Sequence, residues 1–185
     1  MSGALAGLRR GVIPLLVGGL LGFIGGYFSA GGGRPGGAAA SPAARAEDHD
    51  RVGEIQTALQ KDPESPKLLT DLGNALYDRE DWEGASKAYE KARRKAPADP
   101  NLLSDLGSAY RNRGDFKRAI SFFERARAAN PDHWQSLLNL VLVNAFDTRD
   151  ADAARRHFAE LKRRFPEISN LERIEKQITS LKGAA

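Results

Sequence analysis

Six positions of this chain recur 34 residues later: Leu72, Gly73, Ala85, Ala92 and Pro97 come back as Leu106, Gly107, Ala119, Ala126 and Pro131, and the aromatic Tyr89 as Phe123. A fixed period in this range marks stacked helical hairpins, each burying a face against the next, rather than an enzyme folded round one core. The repeat therefore limits the class of function before any single side chain is weighed.

The punctuation inside each period is helical. Ser65-Pro66 and Asp99-Pro100 set a capping side chain before a proline at the first helical position. Apolar residues follow at helical spacing, Leu69, Leu72 and Leu76 in one copy and Leu103, Leu106 and Tyr110 in the next. Asp81 and Asp115 are read as caps of a second helix, with Gly114 closing the first and Pro97 and Pro131 ending the second.

The pattern Leu-Gly-x-x-Tyr, then Gly-Asp-aromatic, then Ala-x-x-x-aromatic-x-x-Ala and a closing Pro resembles the tetratricopeptide repeat. The copy at 100–133 fits best, through Leu106, Gly107, Tyr110, Gly114, Phe116, Ala119, Phe123, Ala126 and Pro131. The copy at 66–99 departs at Leu76, where the family usually has Tyr, and at Glu80, where it usually has Gly. A degenerate third copy is placed at 134–167: Leu137 and Leu140 keep register, whereas Ala154, Phe158, Leu161 and Pro166 fall one residue late. One residue is thus inserted near Asp147 to Asp152. A half repeat at 47–65 (Ile55, Ala58, Pro63) precedes the array. A capping helix and tail at 168–185 (Ile168, Leu171, Ile174, Ile178, Leu181) follow it. The resemblance implies an all-α helical-hairpin solenoid.

Upstream, a basic segment at 1–10 leads into an uncharged apolar stretch at 11–30. As a helix, such a stretch reaches roughly 30 Å, enough to span a bilayer core. Arg9 and Arg10 before it favour a cytoplasmic N-terminus and an exported repeat domain, although Arg34 and Arg45 lie on the far side. A secretory signal peptide is the competing reading, with small residues at Ser29 to Gly31 and onward to Ala46 for a cleavage enzyme. Gly18, Gly22 and Gly26 share one helix face, with two readings: a spacing that lets two membrane helices pack closely, as in a homo-oligomer or a self-associating structural scaffold, or simply the high frequency of glycine in membrane helices. Residues 31–46, made of Gly, Ala, Pro, Ser and Arg, are expected to form a flexible linker.

The formal charge of +4 belongs to residues 1–46, which carry four Arg and no acid, so the remainder is neutral and gives no nucleic-acid signature. There is no cysteine, which excludes thiolate chemistry. His49, His133 and His157 lack the paired spacing of metal ligands, Asp81, Asp115 and Asp150 sit at helix starts, and no phosphate-binding loop is present. No catalytic residue, metal or cofactor is therefore assigned.

What the resemblance implies is a surface. In the family, the first helix of each repeat lines a concave groove for a peptide or partner helix. Carried over by position, the groove candidates are Lys67, Thr70, Asp71, Asn74, Tyr77 and Asp78, then Asn101, Ser104, Asp105, Ser108, Arg111 and Asn112, then Gln135, Leu138, Asn139, Leu142, Ala145 and Phe146. The best-known subtype clamps a partner's C-terminal carboxylate with Lys, Asn and Arg. At the matching positions this chain keeps only Asn74, beside Thr70, Asp105, Gln135 and Asn139, and Asp105 repels a carboxylate. Leu138, Leu142 and Phe146 at i, i+4 and i+8 form an apolar stripe with two readings, a ligand contact or a face buried by the solenoid's own end. The overall layout resembles bacterial envelope assembly factors, single-pass in the inner membrane with the repeats in the periplasm.

Overall fold

The computed structural model describes residues 42–181, which are helical without a strand. In chain order they form α1 (Pro42–Lys61), α2 (Pro66–Asp78), α3 (Trp82–Arg93), α4 (Pro100–Asn112), α5 (Phe116–Ala129), α6 (Trp134–Leu142), a π-helical turn (Val143–Asp147), α7 (Ala151–Arg164) and α8 (Leu171–Ser180). Each helix packs mainly on the next, so α2/α3, α4/α5 and α6/α7 are successive hairpins of an all-helical solenoid. The apolar stretch 11–30, with Gly18, Gly22 and Gly26, lies outside the described residues. Among those described, no helix is long and apolar enough to cross a membrane.

The expected caps form. Asp81 accepts from the Gly84 N–H at 2.8 Å, Asp115 from Arg118 N–H at 3.2 Å and Asp150 from Ala153 N–H at 2.9 Å, starting α3, α5 and α7. Asp99 starts α4 by accepting from Asn101 N–H at 2.9 Å. Ser65 corrects the parallel expectation: it holds the cap position of α2 but its side chain makes no capping bond. Helix α1 begins at Pro42, inside the stretch expected to be a flexible linker. Pro at the first turn followed by Ala43, Ala44 and Ala46 favours helix there.

The first helix of each copy closes by wrapping its chain into a left-handed residue. Gly114 (φ 79°) donates to Arg111 O at 2.9 Å, and Asp115 N–H reaches back to Tyr110 O at 2.9 Å. In the preceding copy the same two bonds, Glu80 to Tyr77 and Asp81 to Leu76, form around Glu80 at φ 62°. A side chain in that region costs roughly 1 kcal/mol, and the closure is kept in spite of it.

The core runs along the hairpins through Tyr89, Leu103, Leu106, Phe123 and Leu140, each at most 2% exposed. The repeated Leu-Gly pair is explained here. A Cβ on Gly107 would lie 2.6 Å from Phe123 Cε1, and one on Gly73 would strike the Tyr89 ring, so glycine lets the two helices of each hairpin close on a buried aromatic. Gly107→Ala should therefore destabilise the domain by about 2 kcal/mol, because Phe123 has no room to retreat. Urea unfolding checks this, and a midpoint equal to wild type would show that the hairpin can open at no cost.

The inserted residue of the third copy sits upstream of its expected place between Asp147 and Asp152. It is absorbed in the π-helical turn, where Thr148 N–H bonds to Val143 O, five residues back, at 2.9 Å. Within that turn the buried Asn144 donates its side-chain N–H to Leu140 O at 2.7 Å.

Candidate partner-binding groove

Helices α2, α4 and α6 carry the polar positions expected to meet a partner, and the structure ties them to one another. The Asn112 amide donates to the Tyr77 hydroxyl at 2.7 Å, and the Asn139 amide to the Ser104 hydroxyl at 3.4 Å. Both pairs are 35 residues apart, one repeat plus one residue. Arg111 forms an ion pair with Asp147, 36 residues on, both side chains 15% exposed. This is the Tyr77–Asn112 link moved by the inserted residue. Straight counting gives Phe146 the place of Asn112; the wider π-helical turn gives it to Asp147 instead.

A fourth link crosses the repeat boundary at His133, a buried residue at the cap of α6. Its Nδ1 accepts from the Ser136 N–H at 3.3 Å, so the ring proton sits on Nε2, which donates to Asn101 Oδ1 at 3.1 Å. Burial holds this imidazole below its ordinary pKa against the opposing pull of Asp99, which suits a neutral structural histidine. Burial likewise lowers His157, with Arg127 adding to it.

Within the first copy, Asn74 Oδ1 accepts from the Tyr89 hydroxyl at 2.7 Å, and the Tyr77 ring meets Trp82 edge-on at 4.7 Å. Burial is the main cause that pushes Tyr77 up to about 12 and raises Tyr89 further. Lys67 pairs with Asp71 at 2.7 Å and Arg51 with Asp78 at 3.5 Å. Thr70 and Ser108 donate into their own helices, to Pro66 O and Ser104 O, and Gln135 is half-buried.

Asp105 stands apart. Among the described residues, no cation or hydrogen-bond donor meets its part-buried carboxylate. Burial, with Asp99 adding to it, pushes the group up to about 7, and its charge is felt at both Tyr77 and Tyr89. Sequence reasoning placed Asp105 in the groove and saw in its charge only what it repels; its isolation shows once Arg111 is found committed to Asp147.

The apolar stripe resolves toward its second reading. Leu138 and Leu142 are each 2% exposed, Ala145 is buried, and Phe146 is half-buried. The reason lies in α6 itself: Leu137, Leu140, Val141 and Val143 are also buried, while the half-buried positions include Gln135 and Asn139, one turn apart. Leu138 and Leu142 therefore offer a partner no open surface. Among the described residues, no group of three or more His, Asp or Glu is placed to hold a metal ion.

Three overlapping stretches, 52–100, 70–133 and 104–167, match the sequence profile of the tetratricopeptide repeat. Among solved structures, the chain is similar to the tetratricopeptide repeat domain of Arabidopsis OM64, at 18% identity and a TM-score of 0.58, covering 63% of this chain and 95% of that one. It is also similar to a thermophilic tetratricopeptide repeat protein of Thermus thermophilus, at 16% identity and a TM-score of 0.48, over 74% and 93% of the two chains. No curated protein sequence matches.

Proposed function

The chain belongs to the tetratricopeptide repeat family, whose fold generally mediates protein–protein interaction or scaffolding, and on that premise we propose that the face lined by α2, α4 and α6 holds a protein or peptide partner at a membrane. One observation carries the reading: side-chain bonds between neighbouring repeats join these helices into a single preorganised polar strip. Groups fixed before binding lose little entropy when a ligand arrives. Asn74, Tyr77, Ser108, Arg111, Asn112 and Asn139 all lie on or beside that strip.

A photo-crosslinking residue at Ser108 should capture one partner in cells, identified by mass spectrometry. The same residue at the exposed Ser121 of α5 should not. Equal capture from both positions would sink the groove reading.

The membrane part of the proposal rests on the apolar stretch 11–30 behind Arg9 and Arg10. It makes the protein a tethered adaptor working in envelope assembly. If the Gly18, Gly22 and Gly26 face packs against a second copy, Gly22→Ile should lower self-association in a membrane reporter by about tenfold, since a branched side chain holds the backbones apart. An unchanged signal would remove the dimer from the proposal. The small residues from Ser29 to Gly31 favour a second reading, a soluble exported factor after cleavage. The intact mass of the mature chain separates the two.

A further inference from the structure

We propose that Asp105 is the specificity-determining residue of this groove and that it receives a cationic side chain, Arg or Lys, from an extended protein partner. The inference rests on the groove reading above and adds the chemistry of what is bound.

Each other charge at the groove positions already has a counter-charge: Asp71 has Lys67, Asp78 has Arg51 and Arg111 has Asp147. Arg111 is the cation on the same helix nearest in register, and its side chain is turned to the next repeat. Asp105 is left as a part-buried carboxylate that still reaches solvent and has no counter-charge among the described residues. A carboxyl in such a place is costly to ionise, and a cation brought by a ligand removes that cost.

The surroundings suit a cation and oppose an anion. Asp99 and Asp105 both contribute negative charge, and the hydroxyls of Tyr77 and Tyr89 and the amide oxygen of Asn74 lie in the same region. Asn74 Oδ1 and the Tyr77 hydroxyl oxygen already accept one bond each, and both have a second lone pair available to an N–H donor. A guanidinium fits best, because its planar fork donates two parallel bonds to a carboxylate while keeping further N–H groups for neighbouring oxygens. A partner's terminal carboxylate would meet Asp105 head-on.

The test is selection of a phage-displayed library of random linear dodecapeptides on the full chain in detergent. The enriched peptides should share an Arg or Lys at one fixed position. Resynthesised, such a peptide should bind Asp105→Asn about tenfold more weakly, and replacing its Arg by citrulline should cost the same factor on wild type but nothing further on Asp105→Asn. Ser108→Trp, which fills the groove without altering charge, should abolish binding.

Enriched peptides that lack a fixed cation yet are lost on Ser108→Trp would overturn the inference and leave the groove intact. Peptides indifferent to both variants would overturn the groove reading and the inference with it. A library that enriches nothing until Arg34 or Arg45 is replaced would overturn it too, by showing that the chain's own basic segment is the occupant. A library that enriches nothing on any of these chains counts equally against it.

Discussion

Leu142→Asp should leave the third repeat unfolded, not merely unable to bind. Leu142 is 2% exposed, beside the likewise buried Leu138 and Val141 of the same helix. Removing the buried side chain alone costs about 2–5 kcal/mol, and lodging an unpaired carboxylate in its place adds several more. Together these match the roughly 5–15 kcal/mol that holds a typical domain folded. Repeats contact only their neighbours, so the loss should begin at α6 and take α7 and α8 with it. Far-UV circular dichroism should show lower helicity and a broadened melt, while Leu142→Met, which conserves volume, should melt near wild type. Full helicity with a cooperative melt in the Asp variant would return Leu142 to the binding surface.

Asp105→Asn should stabilise the protein, by a margin that grows as pH rises above the ordinary carboxylate value and is complete in mildly alkaline buffer. The carboxyl titrates at about 7 in the folded chain against an ordinary value of 3.8. The folded state therefore keeps a proton that the unfolded state releases, and stability falls as pH rises between these two values and levels off above the higher one. Each pH unit separating the two values is worth about 1.4 kcal/mol, so in mildly alkaline buffer the neutral amide should be more stable by about 2–4 kcal/mol. Near the ordinary carboxylate value the two proteins should unfold at nearly the same urea concentration. A gain of equal size in acid and in alkaline buffer would trace the effect to something other than charge.

Part of this was legible in the residues alone. Asp81, Asp115 and Asp150 were readable as caps because a cap needs one residue type at one place in a local pattern. Ser65 was not, since whether a hydroxyl turns to the helix depends on neighbours outside the local run. The stripe of Leu138 and Leu142 was ambiguous in principle: periodicity assigns residues to a common face but does not say what stands against it. The links Tyr77–Asn112, Ser104–Asn139 and Arg111–Asp147 join neighbouring repeats through side-chain direction, which one-dimensional spacing does not carry. That also hid the isolation of Asp105. The extra residue of the third copy was countable, but its position was not, because it is recorded only in which carbonyl the Thr148 N–H selects.

The π-helical turn at Val143–Asp147 acts on the repeat array as an insertion acts on a reading frame. Everything before it can be exchanged between copies in steps of 34, and everything after it only in steps of 35. Splicing a consensus copy into this chain thus succeeds only when both junctions fall on the same side of the turn, or when the turn travels with the insert. A cut that removes one residue before Asp147 brings its carboxylate from 36 to 35 residues beyond Arg111, the separation of Tyr77 from Asn112, so the ion pair is kept only where the shortened turn closes as a regular α-helix. The array is modular on either side of one fixed seam.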